Sequence, residues 1–516
     1  MGFGMKLQKK FLGRIAASHG FWENCLSILC INCSHTLFAY PVNLSIFAII
    51  LLVVAPVSYA QILARCNLAN IDPNLLAAAP APSGQRFTLT PFLSVGERFD
   101  DNIFQTFRNR ENDFITVVSP GICADYVSTA PTPDTDFHFK YQANIESFAK
   151  NSSQNQVSHQ GALNFSSQLT PALSLKVTDT LVITDEPLER VGVADQFTSL
   201  RPASQQGRSR TSTNIATSAL DVQLGQRATL GLVFSSILNN VNTPSEADET
   251  SYSVGAKLGY LTDVARRSMG YLSYLATFHT FQSNGPVTPG DTTADFQVHN
   301  VQVGFRHEFT PTLSGSFAVG PSFITSKDPK LDGDTDLAVN LEVIKTLSIG
   351  QASLNYIRSI TSGGGQGEAV TRDTLRLAFF AAITGKLTAA LSTNLSYLNY
   401  RNLTASSIVT NGGDRFAWAI GPSLSYQILR PWRLSASYAY EFTDFTQGIS
   451  NVNLANISDH RFAVISQFAL RQWLFLDVSY RYTARHLSNG LPISDVEPYY
   501  RNEVLLRLIA APSFLF

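Results

Sequence analysis

Apolar and polar residues alternate with a period of two along the last arms of the chain. Leu474, Leu476, Val478, Tyr480, Tyr482 and Ala484 form one set, and Asp477, Ser479, Arg481, Thr483 and Arg485 most of the other. Successive side chains of a strand point to opposite faces, so this stretch predicts a strand with one apolar and one charged face. The next arm repeats it: Val504, Leu506, Leu508, Ala510, Phe514 and Phe516 share a face opposite Glu503 and Arg507. Upstream, Phe137, Phe139, Tyr141, Ala143 and Ile145 oppose His138, Lys140, Gln142, Asn144 and Glu146; Leu375, Leu377, Phe379, Ala381 and Ile383 oppose Arg376; Trp432, Leu434, Ala436, Tyr438, Tyr440 and Phe442 oppose Arg433, Ser435, Ser437 and Glu441. Two places slip. The apolar set jumps by one residue at His299-Asn300, and Asp179 falls on an otherwise apolar face; a β-bulge is expected at each.

The alternating segments run about 11 to 16 residues, and the breaks between them are short and long by turns. Short breaks include Thr170-Pro171, Gly225-Gln226, Thr310-Pro311, Gly385-Lys386, Arg430-Pro431 and Arg471-Gln472; long ones include 185–210, 240–250, 283–294, 326–335, 362–371, 401–414, 446–458 and 487–500. Outer-membrane barrels have short periplasmic turns and long outer loops. The pattern therefore predicts an all-β fold, a closed antiparallel up-and-down transmembrane barrel over 86–516. It has about twenty strands (about 16 to 22, since strand boundaries are the loosest part of the reading), with both termini in the periplasm. Trp432 and Trp473 follow short turns, where an inner aromatic girdle belongs; Tyr438, Tyr440, Phe442, Tyr480 and Tyr482 approach the outer one. A mean hydropathy of +0.03 is too low for a bundle of membrane helices, but it is compatible with a barrel, in which only alternate residues meet lipid.

The first 85 residues lack this period. Residues 1–60 read as a leader, with Lys6, Lys9, Lys10 and Arg14, an apolar run from Ser45 to Val57, and Ser58-Tyr59-Ala60 as a small-x-small cleavage site. Residues 61–85, rich in Ala and Pro, read as a short periplasmic linker. Removing the leader takes away Cys25, Cys30 and Cys33 and leaves Cys66 and Cys123. These could pair in an oxidising compartment, but two unpaired thiols is the simpler expectation.

A formal net charge of -1 gives no electrostatic reason for a nucleic-acid partner. The chemistry available is charge on the predicted inner face. Lys140, Lys176, Lys257, Arg306, Arg376, Arg433, Arg481, Arg485 and Arg507 are basic there; Glu146, Asp221, Glu308, Glu342, Glu441, Asp477 and Glu503 are acidic. Rings of such charge set the selectivity of a pore. Both signs are mixed, with no arc of a single sign visible, and pairing between neighbouring strands is expected. Asp328, Asp332, Asp334 and Asp336 crowd one outer loop, without the spacing of a calcium-binding EF-hand. His486 and Ser488 lie near a strand end, lacking the orienting third residue of a hydrolase. No nucleotide, metalloprotease or hydrolase motif has a supporting context, so neither a cofactor nor catalysis is expected.

One local string is more specific. Arg98-Phe99-Asp100-Asp101-Asn102-Ile103-Phe104 is followed by Arg110-Glu111-Asn112-Asp113-Phe114 and Ser119-Pro120-Gly121-Ile122. Over these 40 or so residues the chain resembles the beta-barrel porin 2 family and the related barrels encoded with exopolysaccharide export systems. Asp100, Asp101, Asn102, Phe104, Pro120 and Gly121 carry the resemblance. The string could form a ligand or ion site in the first outer loop, but a turn is the simpler reading, because Asp and Asn bond nearby backbone. A last strand ending on Phe516 resembles the signal read by the barrel-assembly machinery of Gram-negative bacteria. The resemblance implies a porin-like outer-membrane channel for small solutes or polysaccharide, or else a plugged surface barrel. Its expected partners are outer-membrane lipid, lipopolysaccharide, the assembly machinery and export components. The loop at 185–210 is long enough to fold inward and serve as a constriction, which deletion of 188–206 would test.

Overall fold

The computed structural model describes residues 86–128, 134–185, 210–241, 247–263, 267–283, 295–326, 332–363, 369–400, 415–445, 456–488 and 497–515. Their strands are β1 (Arg86–Asp100), β2 (Asp113–Val127), β3 (Thr135–Phe148), β4 (Gln156–Thr170), β5 (Leu173–Thr184), β6 (Thr211–Gln223) and β7 (Ala228–Val241). Next come β8 (Ala247–Asp263), β9 (Ser268–Ser283), β10 (Phe296–Thr310), β11 (Leu313–Ser326), β12 (Thr335–Leu347), β13 (Gly350–Ser362) and β14 (Ala369–Ala382). The last are β15 (Leu387–Tyr400), β16 (Arg415–Leu429), β17 (Trp432–Phe445), β18 (Asn456–Arg471), β19 (Leu474–Ser488), β20 (Tyr499–Ala510) and β21 (Phe514–Leu515).

Each strand pairs antiparallel with its chain neighbours from β1 to β20, and β1 pairs in turn with both β20 and β21. The sheet is closed. β20 and β21 are one strand broken at Ala511–Ser513, so the barrel has twenty staves. Pro512 has no N–H to give the ladder. At the break, the Ala511 amide turns to the Trp473 carbonyl at 2.8 Å, and the Ser513 and Thr90 hydroxyls meet at 2.9 Å. Twenty strands about 4.8 Å apart and tilted about 40° make a backbone cylinder about 40 Å across.

The two faces follow the alternation. Val95, Tyr141, Leu258, Val303, Leu377, Leu424, Val478 and Leu506 are exposed on the outer face. Across each register the opposite set holds most of the charged residues, together with some large apolar ones such as Phe92, Phe296, Phe475 and Ile509, and this is the inner face. Short turns such as Pro431 and Gln472-Trp473 gather at one rim, the long connections at the other. Among the described residues no helix is long and apolar enough to cross a membrane.

Three expectations are corrected. No bulge forms at His299-Asn300 or at Asp179; the register shifts lie at Gln168/Thr170, Leu261/Asp263, Glu308/Thr310, Gln427/Leu429 and Ala469/Arg471, each beside a short turn. Unshifted pairing leaves Asp179 on the outer face, where Asn214 Nδ2 donates to its Oδ1 at 2.7 Å. His299 also stays outside, bonded through Nδ1 to the Tyr274 hydroxyl at 2.9 Å and stacked on Phe323. Second, the strands run further into the long breaks than the pattern suggests: β7 reaches Val241, β14 begins at Ala369 and β19 ends at Ser488. Ladder hydrogen bonds continue there through polar residues that lack an apolar partner set. Third, Cys123 is not a free thiol but is disulfide-bonded.

Candidate functional site

The site is the barrel's inner wall, and its most ordered part is the seam where the chain closes on itself. Arg501 on β20 clasps Asp100 on β1 through Nε at 3.0 Å and through a second, shorter bond from Nη2. Both side chains are sealed from solvent, Asp100 fully and Arg501 at 4% exposure. The Asp101 carboxylate takes the Asn502 backbone N–H and side-chain amide, both at 2.6 Å. Asn102 donates to the Thr106 carbonyl at 2.8 Å and the Tyr500 carbonyl at 2.9 Å. Ile103 turns inward and packs with Ile115 and Phe148, with Phe104 against them. Gly121 lies beneath the Phe92 ring, which any Cβ would strike, while Pro120 takes the exposed outer position beside it. The Asp100–Phe104 string thus fastens the first strand to the last, a contact invisible at a separation of 401 residues.

Ion pairs spread from this seam. Arg98 forks onto Glu146 of β3 at 2.8 and 2.9 Å and lies 3.9 Å from Glu503. Gln156 donates to the same Glu146 at 2.8 Å. Glu503 also has Arg481 and Arg501 at 3.7 Å each. Arg485 forks onto Asp459 at 2.8 and 2.7 Å, Arg461 bonds Glu441 at 3.0 Å, and Arg507 bonds Asp477 at 2.6 Å. From β18 round to β1, the inner arginines Arg98, Arg461, Arg481, Arg485, Arg501 and Arg507 each meet a carboxylate. Arg98, Asp100, Asp459 and Arg501, which the sequence reading did not place among the inner-face charges, are central to the network. Arg98 and Asp100 belong to the string already singled out, so their alternation with Arg-rich β20 was the available signal.

The wall across from the seam differs. Arg372 and Arg376 on β14 and Arg415 on β16 share the inner face, with Leu398 opposite both Arg372 and Arg415. Arg433 follows on β17, donating to Ser425. Among the described residues of β13–β16 that face inward, none is Asp or Glu. A basic arc exists after all: the sequence reading missed it because Arg372 and Arg415 were not on its list. Between the two arcs the register places Lys176 and Asp221 on β5 and β6, Lys257 on β8, Arg306 and Glu308 on β10, and Glu342 on β12, all on the inner face. Lys257 Nζ lies 3.8 Å from the Tyr271 ring centre. Lys140 is on the inner face of β3, opposite Cys123.

The interior is also crossed by one hairpin. β12 pairs with β13 only up to Val339 and Arg358, whereas β13 and β14 continue to Ser362 and Ala369. Beyond β12 the hairpin turns inside the wall. Ile360 and Ala369, outward by alternation, are buried with the inward Phe296, Val298 and Ile324 of β10 and β11. Glu249 of β8, already holding Ser251 at 2.9 Å and His279 at 3.2 Å, also accepts a hydrogen bond from Ser362. Asp336 of β12 takes Thr371 at 2.7 Å and Arg358 at 3.1 Å. Such contacts cannot be made along the wall, because β8 and β13 stand five staves apart, a chord of about 28 Å in a cylinder of this size.

The other candidates separate. Asp328 lies outside the described residues, as do 188–206. Asp332 and Asp334 accept backbone amides at 3.1 and 2.9 Å, and Asp336 is held by Arg358, so these carboxylates do not converge. His486 faces outward in an aromatic row with His460 and Tyr500, and Ser488 is exposed at the strand end. Cys123, Asp125 and His138 have ligand atoms within 4.8 Å of one another. The Cys123 sulfur is committed to a disulfide, and His138 bonds Asp125 at 2.7 Å, which leaves no thiolate for a metal.

No family model matches the chain, and no curated protein does. Among solved structures, the siderophore receptor PirA of Pseudomonas aeruginosa is 11% identical, covering 85% of this chain and 81% of its own, with a TM-score of 0.40. The outer membrane protein OpdK of Pseudomonas aeruginosa is 11% identical over 83% of this chain and 99% of its own, TM-score 0.37. OpdQ of the same organism is 12% identical over 84% and 100%, TM-score 0.38.

Proposed function

We propose that the protein is an outer-membrane channel whose lumen is narrowed from within. The observation that carries this is the closed twenty-strand sheet with an exposed apolar outer face and a charged inner one. In hydrocarbon every backbone N–H and C=O needs an internal partner, and a closed barrel supplies them all. Strands of 12 to 17 residues cross an apolar band of about 25 Å even when tilted. A cylinder of twenty staves is too wide for wall side chains to fill, so water enters unless other groups occupy it. On this reading the short-turn rim and both termini are periplasmic, and the outer face meets lipid and lipopolysaccharide after insertion by the barrel-assembly machinery.

Arg376 and Arg433, the less buried members of the basic arc, favour anionic solutes, small ones by diffusion or an acidic polysaccharide segment handed on by export components. The chain has no visible coupling to an energy source. The β13–β14 hairpin supports a second reading, a plugged barrel acting through its surface loops. Planar-bilayer recording of folded protein decides between them: discrete, anion-preferring steps are expected, and silence from protein that still migrates as a folded barrel would discard the channel.

A further inference from the structure

Among the described residues Arg98, Arg415, Arg485 and Arg501 are the buried arginines, at 8, 7, 7 and 4% exposure. Arg98 forks onto Glu146, Arg485 onto Asp459 and Arg501 onto Asp100. Arg415 breaks this rule. It makes no hydrogen bond or ion pair with a described residue, and its Nε is sealed without an acceptor.

The surroundings add to the cost. Arg415 opens β16 on the inner face opposite Leu398, and on its other side Leu398 is opposite Arg372 of β14. The two arginines therefore stand at one level two staves apart, with about 10 Å between their backbones. Arg415 is the charge that bears most strongly on Arg372; Glu249 bears on it less, and Arg376 adds a third guanidinium. Beside them Val370, Leu398 and Tyr400 form a buried apolar cluster. Such surroundings strengthen repulsion between like charges and raise the cost of a guanidinium without a counter-charge. The inward acids within reach are engaged. Glu249 holds Ser251 at 2.9 Å and His279 at 3.2 Å and accepts from Ser362, and Glu441 of β17 is bonded by Arg461 at 3.0 Å. Arg372, Arg376 and Arg415 thus face Glu249 alone, a surplus of two positive charges.

We propose that Arg372 and Arg415 form a binding site for a tetrahedral dianion, a phosphate or sulfate group, held over Leu398 between β14 and β16. A guanidinium presents its N–H donors in a planar fork that suits two oxygens of one such group. Forks from two sides and a double negative charge match the surplus. The site opens to the lumen past Arg376, which lies four residues along β14 on the same face and is exposed. The group is a free ion or an ester on a solute, since both offer the same oxygens. It ties the second arm of the inturned hairpin to the wall. The inference rests on the buried guanidiniums, not on conduction, and it describes one saturable site, not a general preference along the wall.

The test is titration calorimetry on the full folded chain in detergent, in chloride buffer of constant ionic strength. Sodium phosphate is expected to bind at a single saturable site and to raise the melting temperature, because a ligand of the folded state stabilises it. Arg415→Gln is expected to weaken that binding about tenfold or more and to remove the rise, while the seam control Arg481→Gln keeps the affinity within about twofold. Absence of saturable phosphate binding, equal affinity in wild type and Arg415→Gln, or an equal loss in Arg481→Gln overturns the proposal. If Arg415→Gln does not migrate as a folded barrel, Arg415→Lys, which keeps the charge and loses the fork, takes its place with the same weakening expected. Glucose 6-phosphate as a second titrant separates the two sources: binding of inorganic phosphate alone marks a resident ion, and binding of the ester as well marks a site that a solute group reaches.

Discussion

The wall at the closing seam and the wall facing it are built from the same kind of strand, yet they treat charge oppositely. Around β17 to β3, Arg98, Arg481, Arg485, Arg501 and Arg507 each meet a carboxylate, and most of these groups are sealed. Along β14 to β16, Arg376 and Arg415 have no acid beside them on the wall. Partner supply makes the difference. At the seam, closure brings acid-bearing β1 and β3 to Arg-bearing β20, and paired charges there can be buried; across from it the neighbouring strands offer no inner-facing acid, and Glu249, brought near Arg372 by the inward hairpin, is the acid that reaches this arc from across the barrel. One wall fixes the shape of the barrel; on the proposed reading, the other is the one that meets solutes.

The comparison is broken most severely at the Asp100–Arg501 clasp. Asp100→Ala or Arg501→Ala leaves a sealed charge without its partner and is expected to cost about 3–5 kcal/mol. The pair Asp100→Leu with Arg501→Met should recover most of that loss, since apolar isosteres of a buried pair are often neutral. Urea midpoints read from heat-modifiable migration check both, and additive losses in the double variant would show that the two do not act as a pair. Next in size is Glu249→Ala, which takes away the acceptor shared by Ser251, His279 and Ser362. Each group that stays unsatisfied costs about 1–3 kcal/mol, and those that the released hairpin returns to water cost less; the hairpin should loosen, seen as larger or noisier single-channel steps, with a loss of barrel stability smaller than at the clasp. Unaltered traces would remove the hairpin as the constriction.

Sharpening the comparison calls for charge, not truncation. Arg376→Glu with Arg433→Glu is expected to lower anion preference several-fold, measured as a reversal potential across a salt gradient, while the seam substitution Arg481→Gln leaves it near wild type. An equal shift from both would mean that the arcs are not functionally distinct. The smallest effect is expected at the outward row: Ser488→Ala should leave both stability, within about 0.5 kcal/mol, and any lipid hydrolysis unchanged.

Much of the fold was legible because alternation is a local signal. Strand number came from the rhythm of short and long breaks, and the inner or outer side of each charged residue from its parity. Parity did not reveal the company a residue keeps. Asp179 looked like a slipped register, but it is an outward carboxylate met by an outward Asn214, a pairing that needs β6 beside β5. Ile360 and Ala369 were outward by parity, yet they are buried because their hairpin runs behind the wall it belongs to. Cys123 read as a spare thiol because nothing near it in sequence announces a partner.

By itself the sequence determined a ribbon with one greasy and one charged face, folded back on itself into about twenty strands, since side-chain direction in a strand depends only on counting by two. The tertiary structure alone decided which charges neutralise one another, where a hairpin leaves the wall and which sector is sealed. Those outcomes follow from closure, which sets Asp100 against Arg501 across nearly the whole chain, and no local pattern encodes a contact made at that distance.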